Sequence, residues 1–348
     1  MDIKSMYLTE IEEWMKQKKQ PKFRAVQLFS WMHEKQAAST EEMSNLPKAL
    51  RMSIEEEGYT VLQEETRLVS KKDGTVKFLF RLQDGQMIET VFMRHSYGNS
   101  VCISSQAGCR MGCRFCASTI GGLVRNLTAS EMLEQIYSVM RITKERISHI
   151  VVMGTGEPLD NYENLIRFLR IITDEKGYNL SARNITVSSC GIVPRIYDLA
   201  DEQLPITFAL SLHAPTDEKR KELMPIACQY TLKETLEACR YYFEKTGRRV
   251  TFEYSLVKGK NDTIQEALAL AQLLKGMNCH VNLIPVNPVE EREFEQSDED
   301  SVAKFKLTLE KNCINGTIRR SMGSDIDAAC GQLRRKYAFQ NQEDTHAV

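Results

Sequence analysis

The chain has 348 residues with 46 Lys+Arg against 47 Asp+Glu, so its charge is balanced and any nucleic-acid contact must come from local patches. Hydrophobic residues make up 42%, as in an ordinary globular core, and no run approaches the roughly 18 apolar residues of a membrane span. Ten cysteines, behind a start that lacks the apolar core of a signal peptide, point to a reducing cytoplasm where thiols serve metals or catalysis.

Residues 5–60 read as helical. Tyr7, Ile11 and Trp14 recur at i, i+4, i+7, and Phe23, Val26, Leu28, Phe29 and Met32 continue the pattern, with Pro21 and Pro47 at helix starts. Trp14 and Trp31 read as packing anchors. Lys16, Lys18, Lys19, Lys22 and Arg24 cluster at the first helix junction, either as a solvated helix end or as a contact for an RNA backbone. Residues 66–105 change period: Thr66–Ser70, Thr75–Leu82 and Met87–Arg94 are strand candidates joined by Lys72-Asp73-Gly74 and Gln83-Asp84-Gly85 turns.

From Val101 apolar strands alternate with amphipathic helices. The strand candidates are Val101–Ser104, His149–Met153, Asn184–Ser188, Ile206–Leu212, Thr251–Leu256 and Val281–Pro285. The helix candidates are Ala129–Arg141, Tyr162–Thr173, Val193–Ala200, Leu232–Lys245, Ile264–Leu274 and Glu299–Lys311. Such a series predicts an α/β fold with a parallel sheet, open or closed into a barrel. In these folds chemistry gathers at the carboxyl ends of the strands. The residues found there are Gly154-Thr155-Gly156-Glu157-Pro158, Ser188, Ser211-Leu212-His213 and Asn287. Glycines at the first of these let the backbone approach a ligand, and Glu157 offers a carboxylate to an ammonium group, although a surface turn would look similar. His213 fits equally a structural histidine or a ligand contact.

The first parallel strand leads into Cys109-Arg110-Met111-Gly112-Cys113-Arg114-Phe115-Cys116. One loop with C-x3-C-x2-C spacing places three sulfurs around a metal centre and supplies no fourth ligand. An open [4Fe–4S] cluster and a zinc ion are both compatible with three thiolates. A structural zinc site closes with a fourth Cys or His, usually from a second pair, and none follows here, which favours the cluster. Cys330, among small residues after the last strand, reads as a thiol on a loop, and Cys102 lies one short strand before the cluster loop.

The C-x3-C-x-F-C loop resembles the radical S-adenosylmethionine (SAM) signature. Together with Cys102-Ile-Ser-Ser-Gln-Ala-Gly-Cys109, Gly154–Pro158, Ser211-Leu-His-Ala-Pro215, Asn282-Leu-Ile-Pro285 and Asp325-Ile-Asp-Ala-Ala-Cys330-Gly-Gln-Leu333, it resembles the RlmN/Cfr family of RNA adenine methyltransferases over nearly the whole chain, and most closely its RlmN branch. The resemblance implies a partial (β/α)6 TIM-like barrel. On that plan residues 1–62 form a helical RNA-binding accessory domain, 63–95 a β extension, 96–333 the radical SAM core and 334–348 a polar tail. It implies a [4Fe–4S] cluster on Cys109, Cys113 and Cys116, and SAM contacts at Gly156, Glu157, Ser188, Ser211, Leu212, His213 and Asn287. It further implies two SAM molecules per turnover, a methyl-carrying Cys330, Cys102 as its partner in proton removal and a transient disulfide, and Glu89 as an assigned proton acceptor. The expected partners are 23S rRNA, tRNA and an electron donor such as flavodoxin or ferredoxin, for a cytoplasmic monomer. The rival branch, Cfr, would methylate carbon 8 of the ribosomal adenine instead of carbon 2, and a more distant rival is a zinc-binding RNA module. Thr155 and Cys190 depart from the residues common in the family at those places.

Overall fold

Three helices of the alternating region begin with the same four-residue signal, Thr128–Glu131, Thr231–Glu234 and Thr263–Glu266. In the computed structural model each forms a capping box, the threonine hydroxyl accepting from the glutamate N–H and the glutamate carboxylate accepting from the threonine N–H. The structure describes residues 2–286, 294–320, 322–326, 333, 334 and 337.

The chain opens with helices α1 (Leu8–Gln17), α2 (Phe23–His33) and α3 (Lys48–Glu57). Trp14 is buried between them and its indole N–H donates to Glu57 Oε2 at 3.1 Å, so it packs rather than presents a stacking face. Pro47 caps the start of α3, where its missing N–H costs nothing. A meander of β1 (Gln63–Val69), β2 (Val76–Arg81) and β3 (Met87–His95) follows, all antiparallel.

The alternating part runs β4 (Gly98–Cys102), a two-stranded ribbon of β5 (Gln106–Gly108) and β6 (Leu123–Asn126), α4 (Ala129–Thr143), β7 (His149–Val152), α5 (Tyr162–Ile172), β8 (Ile185–Ser189) and α6 (Val193–Asp201). It continues through β9 (Thr207–Ser211), α7 (Asp217–Leu223), α8 (Leu232–Thr246), β10 (Val250–Leu256), α9 (Ile264–Leu273), β11 (Cys279–Pro285), α10 (Glu299–Lys311) and β12 (Gly316–Ile318). All six expected strands and all six expected helices are present. The ribbon, α7 and β12 are additions.

One 10-stranded sheet runs β1-β2-β3-β4-β7-β8-β9-β10-β11-β12, parallel from β4 onward. The antiparallel pairing of β3 with β4 makes the meander continuous with the barrel sheet. Parallel strands covered on both faces read as near-continuous apolar runs. These strands instead alternate. Phe252, Tyr254 and Leu256 of β10 are buried in the core, whereas Thr251, Glu253 and Ser255 line cavities on the other face, with His280 and Asn282 of β11 and Thr207 of β9. The inner face of the barrel is therefore polar, and a cavity of about 1060 Å³ runs along it.

The helical start is joined to α4 by buried charge. Lys4 Nζ pairs with Glu134 Oε1 at 2.6 Å, both fully buried, and Arg141 Nη2 pairs with Glu134 Oε2 at 2.6 Å. His33 Nδ1 lies 3.0 Å from the Tyr137 hydroxyl beside them. No helix among the described residues is long and apolar enough to cross a membrane.

Candidate active site

At the carboxyl ends of β7–β11 a second cavity of about 280 Å³ collects Cys109, Cys113 and Cys116 with Gly156, Glu157, Ser188, Ser211 and His213. These members of the predicted rim share one cavity, whereas Leu212 is fully buried and does not line it. Asn287 and Cys330 lie outside the described residues.

The cysteine loop is pinned from both sides. Arg110 forms an ion pair with Asp160, whose Oδ2 also accepts from Gln106 Nε2 at 2.9 Å, and Gln106 Oε1 accepts the Glu157 N–H at 2.8 Å. The Thr119 hydroxyl donates to the Cys116 carbonyl at 2.9 Å, closing the turn after the last thiol. On the far side the Arg114 N–H donates to the Leu223 carbonyl at 2.9 Å. Burial pushes the Cys109 thiol up to about 12 and raises that of Cys113 as well. Such thiols become thiolates when an electron-deficient metal takes the proton's place.

The two glycines after β7 are there for space. A Cβ on Gly154 would stand 2.7 Å from the Ile103 backbone, and one on Gly156, at φ +109°, would stand 2.6 Å from Gln106 Cβ. This close packing turns Glu157 inward. Its carboxylate is buried and accepts the Cys190 N–H at 2.8 Å and the Leu159 N–H at 3.0 Å. Burial raises its pKa against those hydrogen bonds. An ammonium group arriving here would supply the missing positive charge.

His213 carries strain that a structural histidine does not need. It is non-glycine yet sits at φ +57°, held by its carbonyl accepting from Asn261 Nδ2 at 2.7 Å. Its Nδ1 accepts the Ser255 N–H at 2.9 Å, which leaves Nε2 as the N–H donor. Burial, aided by Arg220, lowers its pKa to about 3, so the ring is neutral. Phe115 of the cysteine loop meets it edge-on at 4.8 Å.

Cys102 and Glu89 share the inner face of adjacent strands. Val91 of β3 pairs with Cys102 of β4, and Glu89 lies two residues from Val91. Cys102 is buried, and no disulfide joins two described cysteines. Glu89 is also buried. Lys77 Nζ lies 3.0 Å from its Oε2, and Oε1 accepts the Arg334 N–H at 2.7 Å, tying the carboxylate to the segment after Cys330.

Glu253 and Arg220 were not singled out by sequence reasoning, and Cys190 was noted only as a departure from the residue common in the family. Cys190 adds a fourth sulfur to the cavity wall, but burial and the Glu157 charge raise its thiol pKa far above the usual range. Glu253 projects from β10 to both cavities. Asn282 Nδ2 donates to its Oε1 at 3.2 Å, while Oε2 has no partner among the described residues. An acidic residue between Thr251 and Ser255 on the polar face of an alternating strand was the available signal. Arg220 of α7 is fully buried and donates from Nη2 to the Cys190 carbonyl at 2.7 Å. It sits in a run of charges that reads as solvent-facing, and nothing local marks it.

The donor set fits an iron–sulfur cluster better than zinc. Three thiols face one cavity beside a buried carboxylate and open space. All three thiols come from one short loop, and a structural zinc would call for a second pair of ligands. Cluster thiolates bind separate irons and need not converge.

Comparison with known proteins gives consistent matches. Residues 103–273 match the model of the radical SAM superfamily, and residues 1–59 match that of the ribosomal RNA large subunit methyltransferase N-terminal domain. The chain is 59% identical to a probable dual-specificity RNA methyltransferase RlmN of Lachnospira eligens, over 97% of this chain and 96% of that one. It is 52% identical to a protein of the same description from Clostridium perfringens strain 13, over 97% of each. A crystal structure of a radical SAM methyltransferase from Sphaerobacter thermophilus superposes with a TM-score of 0.92 at 43% identity, covering 95% of this chain and 98% of that one.

Proposed function

The chain belongs to the RlmN family of radical SAM RNA methyltransferases, and from that premise we propose that it methylates carbon 2 of one adenosine in 23S rRNA and of the adenosine next to the anticodon in tRNA. The observation that carries this reading is the single cavity in which three thiols meet Glu157, Ser188, Ser211 and His213. Cys109, Cys113 and Cys116 would hold a [4Fe–4S] cluster. Glu157 would take the ammonium of SAM, and Gly156, Ser188, Ser211, Leu212, His213 and Asn287 its remaining polar groups. When bound, the cluster supplies the electron that cleaves SAM to a carbon radical.

The remaining steps belong to two cysteines. Carbon 2 of adenine is electron-poor and does not attack a sulfonium methyl as a nucleophile, so the carbon must arrive as a radical. Cys330 takes a methyl group from one SAM, and a second SAM is spent removing a hydrogen from that methyl. The methylene radical joins carbon 2, and the adduct, on giving one electron back to the protein's redox centre and losing the ring proton, would become a closed-shell protein–RNA thioether. Cys102 removes the ring proton. Its sulfur then attacks Sγ of Cys330, the S–C bond breaks, and the carbon leaves protonated as the new methyl group. Glu89, tied to Lys77 and to the Arg334 N–H, is a second candidate acceptor for that proton. A small electron carrier of the flavodoxin or ferredoxin class would deliver the reducing electrons and regenerate the thiols.

The accessory helices 1–62 offer an RNA-docking surface in the exposed Lys16, Lys18, Lys19 and Lys22, next to Phe23, which is 55% exposed. On this reading the enzyme works as a cytoplasmic monomer.

Nucleoside mass spectrometry after incubation with SAM, reductant and either rRNA or tRNA tests the proposal, and 2-methyladenosine is the expected product. An 8-methyladenosine product would overturn it in favour of the Cfr chemistry. C330A should form no crosslink, and C102A should accumulate the covalent protein–RNA adduct. Release of free methylated RNA by C102A would remove Cys102 from its role.

A further inference from the structure

Arg220 heads the described side chains that are fully buried, ranked by size, and no ion pair among the described residues neutralises it. Its donors go to main-chain carbonyls: Nη2 to Cys190 at 2.7 Å and Ser211 at 3.4 Å, and Nε to Leu212 at 3.3 Å. Its Nη1 has no hydrogen-bond partner among the described residues. A guanidinium withdrawn from water and answered only by carbonyl dipoles is costly unless an anion joins it.

The packing shows which anion can. Helix α7 carries Arg220 and ends at Leu223, whose carbonyl holds the Arg114 N–H of the cysteine loop at 2.9 Å. Leu223 and Met224 form a small apolar cluster with Cys190, and Cys113 and Phe115 pack against it. A Cβ on Gly112 would stand 3.3 Å from Pro225 Cγ, so the loop lies close upon this segment. Cys113, Cys190, Ser211 and Met224 line one cavity, so the backbone that Arg220 grips at Cys190 and Ser211 forms the wall against which Cys113 packs. Of these two thiols, only Cys113 belongs to the three-thiol loop.

We propose that Arg220 is the built-in counter-charge of the thiolate-bound centre: a positioning residue that holds negative charge at Cys113 and makes the centre easier to reduce. Reduction adds one electron to a centre already surrounded by three thiolates, and a fixed buried cation beside one of them favours that electron. The hydrogen bonds to β8 and β9 are a separate task, since they need the forked donor but not its charge. This inference rests on the cluster reading above.

The test uses the full chain, reconstituted anaerobically, with iron and sulfide content and an EPR-monitored redox titration as readouts. R220Q keeps a donor and loses the charge, whereas R220K keeps the charge and loses the fork. R220Q should shift the reduction equilibrium at least tenfold toward the oxidised state, 59 mV for one electron, while R220K stays within threefold of wild type. Iron loss in R220Q with retention in R220K also supports the proposal. An unshifted R220Q, or equal shifts or equal iron loss in both variants, overturns it and leaves Arg220 a purely structural tie. A second variant spares Arg220 itself. Ile226 packs against the same cluster, and I226K should move the equilibrium toward the reduced state; no movement overturns the proposal. Wild-type protein that takes up zinc and no iron would instead refute the cluster reading.

Discussion

Lys4 and Arg220 are both fully withdrawn from water, yet only Lys4 meets a carboxylate. At the junction of the helical start with α4, Glu134 receives both Lys4 and Arg141, and each carboxylate oxygen has a cation. Around the cavity, Arg220 Nη1 and Glu253 Oε2 have no hydrogen-bond partner among the described residues. In the first arrangement the charges answer one another and join two parts of the chain. Buried charge of one kind marks structure, and of the other marks where a ligand is expected.

The contrast can be broken at its strongest point first. K4M strands Glu134 with Arg141 alone and should destabilise the fold by roughly 3 kcal/mol, the lower end for a broken buried pair. The denaturant midpoint measures this, and SAM affinity of the folded fraction should be unchanged. At the cavity the costs reverse. E157Q should fold normally but weaken SAM binding by about 10- to 100-fold, equivalent to roughly 1.4–2.8 kcal/mol. Equilibrium dialysis with unchanged affinity would remove Glu157 from the ammonium site.

Acid provides a third probe. Burial, then Lys4, lowers His33 to about 3 from an ordinary 6.5. Between those values the unfolded chain binds a proton that the folded chain refuses. Stability present above pH 6.5 is therefore lost as pH falls, by about 1.4 kcal/mol per unit for this group. H33N should flatten that slope in urea titrations at several pH values; an unchanged slope would assign acid sensitivity elsewhere. The smallest effect is expected at Glu253. E253Q relieves a buried and half-answered carboxylate and should leave the ligand-free protein as stable or more stable, by up to about 1 kcal/mol. A clear loss of stability would mean that its second oxygen is satisfied after all.

The thiol loop, the Gly154–Pro158 turn and Ser211–His213 were legible because each is a local pattern whose residue types are rare outside chemistry. The strand–helix rhythm was legible because periodicity is local too, and capping boxes fixed three helix starts. What was not legible depends on partners distant in sequence. Nothing within Lys72-Asp73-Gly74 tells that the meander extends the barrel sheet, since that follows from β3 pairing with β4. Nor does Gly316–Ile318 announce a strand; it exists because Val281–Leu283 offers it a ladder. Arg220 is the clearest case. Its neighbours Asp217, Glu218, Lys219, Lys221 and Glu222 suggest a wet helix, and its burial follows from packing against the ends of β8 and β9.

The sheet order also leaves two outer strands, β1 and β12, each with a strand partner on one side only among the described residues. Unpaired edges are templates on which a second chain can add, and proteins blunt them with charge or brevity. Both remedies are present here. β1 reads Gln63-Glu64-Glu65-Thr66-Arg67-Leu68-Val69 and carries the Arg67–Glu64 and Arg81–Glu65 pairs along its length. β12 is three residues long and is followed at once by Arg319-Arg320. A sheet that stays open among the described residues has two lips, and both are guarded in this way against pairing with a second copy.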